Sequence, residues 1–448
     1  MLNNLKLELE QRQAQGLMRQ RRLLDSPQAE HIVADDKKYL SFCSNDYLGL
    51  ANHPALIKAM QNAAADSGVG SGASNLITGH HRYHDNLEKQ LAKFVQMPAA
   101  LVFSTGYMAN IGVVSSLVGR GDAVFCDKLN HACLNDGAIL SRADFKRFAH
   151  NDVAALEKLL QESPAKCKLI AVDAVFSMDG DIAPLPAYLR LCEQYDAYLY
   201  VDDAHGFGVL GEHGRGSVSH FAEQLGDVMR DTRLNSAQHN TPSPSMGEGW
   251  GEGEFLATSA PSPQPSPARG EGVAPHLYAA GTRTISPRII YMATLGKAAG
   301  VAGAFVAGQQ VVIDYLIQNA RSYVYSTPAP PALSATLSAS IHLIEKGDDL
   351  RAHLQHLIAT LKANLQLKTW HLMPSDTAVQ PLVIGSNHAA VSLSEHLQSQ
   401  GILVPAIRPP TVPKNTARLR ISLSAAHSKN DVIKLAQAIN EAEKVINK

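Results

Sequence analysis

Cysteine is scarce. The chain has five in 448 residues (Cys43, Cys126, Cys133, Cys167 and Cys192), and no two are spaced C-x-x-C. That usage argues against a disulfide framework or a structural zinc site and fits a reducing compartment. A surplus of one charge is also missing, with 40 Lys and Arg against 41 Asp and Glu for a net charge of −1. No global field is available to attract nucleic acid or an anionic membrane, so an anionic ligand must be met by local basic residues. No apolar run is long enough to span a bilayer. The N-terminal MLNNLKLELEQRQAQGLMRQRR carries charge where a signal peptide would carry an apolar stretch. Also absent are a G-x-x-x-x-G-K-[ST] phosphate loop, a G-x-G-x-x-G after the first strand and a G-x-S-x-G elbow. The expectation is a cytoplasmic protein with no nucleic-acid and no membrane partner.

The length suffices for a large core and more than one domain. From about residue 50 to 310, apolar β-rich runs alternate with helical patterns, which predicts an α/β fold with a mostly parallel sheet. Candidate strands are 100–104, 123–126, 169–175, 197–202, 289–294 and 302–307. Several are continuously apolar, as strands covered on both faces are. Candidate helices between them span 83–94, 108–117, 152–160 and 185–195. The remainder reads as a smaller α+β C-terminal domain, with strands near 381–384, 402–406 and 417–423 and helices at 332–345, 350–365 and from 429. We divide the chain into an N-terminal arm (1–44) that opens with an amphipathic helix, a large domain (45–330) and a small domain (331–448). One tract breaks the pattern. Residues 223–284 are rich in Pro, Ser, Gly and Glu and hold a near-repeat, TPSPSMGEGWGEG and APSPQPSPARGEG. Such composition buries too little apolar surface to offset chain entropy, so the expectation is a disordered insertion, with a folded lid as the alternative.

Chemistry concentrates at the ends of the apolar strands. In ATLGKAAGVAGAFVAG (Ala293–Gly308), Lys297 follows a buried strand, where its charge is costly unless removed or used. Desolvation favours a neutral, nucleophilic amine able to form a Schiff base with an aldehyde cofactor. A lysine reaching past the strand end to solvent is the plainer alternative. In YLYVDDAHGFGVLGEHGRGS (Tyr198–Ser217), Asp202 and Asp203 close an apolar strand at the end where open parallel sheets bind ligands. A carboxylate there can hold a pyridine nitrogen protonated, and His205 can donate to a phenolic oxygen; helix capping and a structural histidine compete. FSTGYMANIG offers the N–H groups of Gly106 and Tyr107 at a helix start to a phosphate. His131, in DKLNHACLNDG, can stack on a flat ring. Ser177, in VDAVFSMDGDIAPL, presents a free hydroxyl or caps a turn. In AIRPPTVPKNTARLRISLSAAH, Arg408 precedes a rigid Pro-Pro pair and can grip a carboxylate, or simply lie in a surface loop. His80, His81 and His84 lack a second ligand cluster, so no metal site is expected.

In order, these segments resemble the α-oxoamine synthases, fold-type I pyridoxal-phosphate enzymes. SFCSNDYLGLANHP (Ser41–Pro54), GVGSGASNLITGHHRYHDNLE (Gly68–Glu88), RFAHNDV (Arg147–Val153), YSTPAPP (Tyr325–Pro331) and the motifs above carry the likeness across nearly the whole chain, except 223–284. GSGASNLITGH and AIRPPTVP lean toward the branch serving biotin biosynthesis. The resemblance implies pyridoxal 5′-phosphate as cofactor, with Lys297 joined to it and later moving protons at the substrate Cα. It places Asp202 on the pyridinium, His205 on the phenolic oxygen, His131 on the ring face, and Gly106, Tyr107, Ser177 and Thr294 around the cofactor and its phosphate. Arg408 would take the amino-acid carboxylate, with Arg19 and Thr411 near the acyl substrate. It further implies a homodimer sharing its active site, with Tyr325–Thr327 contributed by the partner. The reaction implied is a decarboxylative condensation of L-alanine with pimeloyl-CoA or pimeloyl-ACP. A sister activity such as glycine C-acetyltransferase, and a catalytically silent subunit, are the alternatives.

Overall fold

The computed structural model describes residues 1–14, 18, 21–239 and 285–446, and of 232–239 the backbone alone. Seven strands form the central sheet: β1 (Ala99–Phe103), β2 (Ala123–Asp127), β3 (Asp144–Phe148), β4 (Lys168–Asp173), β5 (Ala197–Asp202), β6 (Ile289–Thr294) and β7 (Ala304–Gly308). Their spatial order is β1-β7-β6-β5-β4-β2-β3. β7 alone runs antiparallel to its neighbours; the other pairings are parallel. Alternate residues of one strand enter the cores on opposite faces, because side chains alternate with period two. Ile170 and Val172 of β4 join one cluster and Leu169 and Ala171 the other. Helices cover both faces, which explains the continuous apolar runs.

The register aligns the functional strand ends. Asp173 of β4 pairs with Asp202 of β5, and Asp202 pairs with Met292 of β6. Lys297 lies three residues past the end of β6 at Thr294. The helix Gly106–Leu117 starts beside them, with the Thr105 side chain capping it by accepting from Met108 N–H.

The small domain is a four-stranded antiparallel sheet in which His371–Leu372, β8 (Val379–Gly385), β9 (Ala417–Ser422) and Ala406–Ile407 are neighbours. It is backed by helices Asp348–Asn364, Asn387–Ser399 and Lys429–Ile446. It grips one turn of the large domain, Ser177–Gly180. Arg420 donates to Ser177 O, Arg418 to Met178 O and to the Asp179 carboxylate at 2.7 Å, and Ser375 and Thr377 hydroxyls donate to Gly180 O. Gly180 has φ +73°, and a Cβ there would sit 2.4 Å from Val379 O, so only glycine fits.

Several expectations need correction. The structureless tract does not begin at 223: residues Ala222–His239 form a helix, and Leu225 and Val228, one turn apart, are buried in the core. Residues 240–284 lie outside the described residues. The expected strand at 402–406 is two short strands in different sheets, divided at Pro405, which has no N–H to give to a ladder. Ile402–Leu403 instead pairs with Lys37–Ser41, so the end of the N-terminal arm shares a sheet with the small domain. The arm helix forms at Leu2–Ala14 but buries no residue.

Candidate active site

Lys297 is the centre of the site. Its Nζ lies 2.8 Å from His205 Nε2, and His205 Nδ1 lies 2.6 Å from the Tyr47 hydroxyl. Burial lowers the Lys297 pKa to about 8, against the opposing pull of Asp202 and Asp173. Burial also drives His205 well below the ordinary histidine value, helped by the Lys297 and Arg420 charges. A neutral imidazole beside an amine that readily loses its proton is a nucleophile's environment rather than a salt bridge.

Asp202 is buried at the tip of β5. Its Oδ1 accepts from Ala204 N–H at 3.0 Å and its Oδ2 from the Asn110 amide at 2.7 Å. Asp203 turns the other way, to the Tyr291 hydroxyl and Ser217 N–H, so it is structural rather than part of the site. Burial raises its pKa to about 7. His131 caps the helix Ala132–Ser141 and is exposed, with its own backbone N–H given to Asp173 at 2.6 Å. Burial, then the nearby Asp202 charge, pushes Asp173 well above the ordinary carboxylate value.

Thr294 and Gly106 adjoin: a Cβ on Gly106 would lie 3.7 Å from Thr294 Cβ. The helix start at Gly106–Tyr107 and the Thr294 hydroxyl therefore share one corner, a suitable phosphate cradle. Thr294 Oγ1 also donates to Gly303 O at 3.1 Å. Tyr107 is half-exposed and its hydroxyl donates to Asp136. Ser177 is half-buried at the gripped turn. Arg408 is half-buried and Thr411 exposed in one turn, closed by Thr411 N–H to Arg408 O at 3.0 Å. Arg19 lies outside the described residues. His81 and His84 cap the helix Arg82–Phe94, and His84 Nε2 reaches Ala329 O.

Three site residues escaped the reading of the sequence. Tyr47 hides in SNDYLGL as one more buried aromatic. Asn110 hides in an apolar helix, where a lone polar residue was the available signal. Arg420 lies in ARLRIS, whose alternation puts it beside Arg418 on the face toward the large domain. Arg420 is buried, and its partners are the neutral oxygens of Ser177, Ser422, Asn45 and Tyr47. Among the described residues no carboxylate pairs with it.

A primary amine able to be neutral, an imidazole beside it, a buried carboxylate and a helix start with a hydroxyl form a donor set that fits an aldehyde-bearing, phosphorylated pyridine ring. Comparisons with known proteins agree. The family model described as aminotransferase class I and II matches residues 37–236 and 268–439. An 8-amino-7-oxononanoate synthase of Methylobacillus flagellatus is 49% identical over 443 residues, covering 99% of this chain and 96% of that protein. One from Chromobacterium violaceum is 52% identical over 410 residues, covering 92% and 91%. Among solved structures, serine palmitoyltransferase of Sphingomonas wittichii superposes with TM-score 0.79 at 27% identity, covering 99% of this chain and 97% of that one. The 8-amino-7-oxononanoate synthase of Francisella tularensis superposes with TM-score 0.66 at 26% identity, covering 92% and 99%. The chain belongs to the class I and II aminotransferase family and, within it, to the pyridoxal-phosphate-dependent acyltransferases of the 8-amino-7-oxononanoate synthase family.

Proposed function

We propose that the enzyme condenses L-alanine with a pimeloyl thioester, on coenzyme A or acyl carrier protein, and releases carbon dioxide, the free thiol carrier and 8-amino-7-oxononanoate for biotin biosynthesis. The observation that carries this reading is the half-buried Lys297, its amine 2.8 Å from His205 and close enough to feel the charge of Asp202 at the neighbouring strand tip. The shared name of the relatives supports the choice of reaction.

Pyridoxal phosphate, when bound, supplies a ring that draws in the electron pair left at the α carbon. With its pKa near 8, Lys297 is neutral in part at physiological pH, so its amine would be able to hold the cofactor through its aldehyde carbon and, when free, to carry the substrate Cα proton. Asp202 would hold the ring nitrogen protonated, His205 would serve the phenolic oxygen, and His131 would cover the ring face. Gly106, Tyr107, Ser177 and Thr294 would surround the remainder of the cofactor. For the alanine carboxylate, Arg420 fits better than Arg408. A buried guanidinium with only neutral partners is costly, and an anionic ligand relieves that cost. Held by Arg420, the carboxylate keeps the bond that breaks on carbon dioxide loss in one orientation. Arg408 and Thr411, in one turn, are then left to the acyl chain.

A homodimer suits the surface. Val69, Ile77 and Tyr325 are 83%, 75% and 72% exposed. Ser71 and Asn75 tie the segment that carries Val69 and Ile77 to Ala329 O and Tyr323 O, on either side of Tyr325 in the chain. A second copy covering these apolar side chains would bring Tyr325–Thr327 to its partner's site.

The test is turnover of the purified protein with cofactor. The panel is alanine with pimeloyl-CoA, alanine with pimeloyl-ACP, and glycine with acetyl-CoA, each read by product mass and carbon dioxide. Product from alanine and a pimeloyl thioester is expected. Preference for glycine with acetyl-CoA, or no turnover with any pair, overturns the reading.

A further inference from the structure

We infer that Asn110, Cys133 and Tyr200 form a neutral positioning bridge that aims the Asp202 carboxylate and fixes the tautomer of His131. The inference rests on the placement of the cofactor ring against these two residues, proposed above.

Asn110 is fully buried in the helix Gly106–Leu117 and uses its whole amide. Its Oδ1 accepts from the Tyr200 hydroxyl at 2.8 Å. Its Nδ2 donates to Asp202 Oδ2 at 2.7 Å and to Cys133 Sγ at 2.9 Å. An NH₂ group has two hydrogens, so both are spent, and the Asp202 carboxylate, which can only accept, sets which way round the amide lies. Cys133 Sγ in turn lies 2.8 Å from His131 Nδ1. That nitrogen also faces the Cys133 backbone N–H at 3.3 Å. The sulfur already accepts from Asn110, and the backbone N–H can only donate. The consistent assignment is therefore thiol to Nδ1, which leaves the ring proton on Nε2. Burial, then the Asp202 charge, pushes the Cys133 thiol up to about 12, so the thiol keeps its proton to give.

The bridge joins the helix start at Gly106, the strand tip at Asp202 and the cap residue His131. None of its linking groups titrates near neutral pH, so Asp202 keeps the same donor across the working range. Without that donor the buried carboxylate would be left short of a hydrogen bond and would take up a proton more readily, drawing it from the ring nitrogen. Asn110 thus acts on the reaction through Asp202, as a positioning residue fixed before the cofactor arrives.

The experiment uses cofactor-loaded full-length protein carrying Asn110→Ala, Tyr200→Phe or Cys133→Ala, with Asp202→Asn as the reference. The readouts are the cofactor dissociation constant, the ring-nitrogen resonance of ¹⁵N-labelled cofactor, the histidine nitrogen resonances, and the split between kcat and the thioester KM. Asn110→Ala is expected to weaken cofactor binding roughly tenfold or more. It should move the ring-nitrogen resonance away from its protonated position and lower kcat while leaving the thioester KM in place. Tyr200→Phe, which removes a single oxygen and serves if Asn110→Ala fails to fold, should shift the same readouts by about threefold. Cys133→Ala removes the thiol donor but keeps the backbone N–H on Nδ1, so it should shift the His131 tautomer balance only in part, with little change at the ring nitrogen. If folded Asn110→Ala and Tyr200→Phe match the parent in affinity and resonance while Asp202→Asn loses both, the bridge is refuted. If Asp202→Asn itself changes neither, the ring placement falls and the bridge with it.

Discussion

Replacing Lys297 by methionine should stabilise the cofactor-free protein at neutral pH, and the gain should vanish in alkali. Burial lowers the Lys297 pKa from 10.5 to about 8, and at about 1.4 kcal/mol per pH unit this corresponds to roughly 3 kcal/mol. The sign follows from proton counting. Between pH 8 and 10.5 the unfolded chain still holds the proton that the folded chain has released, so parental stability rises with pH across that window. Below pH 8 both states are protonated and the folded state bears the whole penalty. Methionine has nearly the same length and no charge, so it removes the penalty while keeping most of the packing. The assay is denaturant unfolding of both cofactor-free proteins at pH 7, 8.5 and 10, compared as a difference so that other titrating groups cancel. Lys297→Met should be more stable by about 2–3 kcal/mol at pH 7, with the gap mostly closed by pH 10. A variant that is less stable than the parent at pH 7, or a gap independent of pH, would show that the amine is not desolvated and would remove the physical basis of its nucleophilicity.

Arg420→Met should lower kcat/KM for alanine by roughly a hundredfold or more, the worth of a lost charge-assisted pair, while cofactor binding changes little; steady-state kinetics and a cofactor titration decide it. Asp179→Asn breaks the buried ion pair to Arg418 and should destabilise the protein by roughly 3–5 kcal/mol, read as a lowered denaturant midpoint. Deleting 240–267, most of the gap between the two matched blocks of the family model, should leave turnover within about a few-fold, because the family pattern resumes at 268 without those residues. Extending that deletion back to 223 should be far more damaging, since it removes the buried Leu225 and Val228.

The interior strands of the sheet were legible because they are buried on both faces and read as unbroken apolar runs. β3, with the sequence DFKRF, was not. It lies at the sheet edge with mostly partly exposed side chains, so its charges erase the apolar pattern. The helix from Ala222 was obscured by the low-complexity composition that follows it, although Leu225 and Val228 keep helical spacing. Lys297, Asp202 and His205 stood out because a charged or polar residue just past an apolar strand is unusual. Tyr47, Asn110 and Arg420 did not, because each sits inside a pattern with an ordinary explanation. Their roles depend on contacts between segments as far as 375 residues apart in the chain, as Asn45 to Arg420 illustrates. The difference of 158 residues between Tyr47 and His205 has no trace in local spacing.

The most direct measurement is to load the protein with pyridoxal phosphate, reduce it with borohydride and map the labelled peptide, for the parent and for Asp202→Asn. Label on the peptide containing Lys297, with weaker loading in the Asp202 variant, is the expected outcome. Label on a different lysine, or loading that ignores the loss of the Asp202 charge, would contradict a site in which these two strand ends meet around one ring.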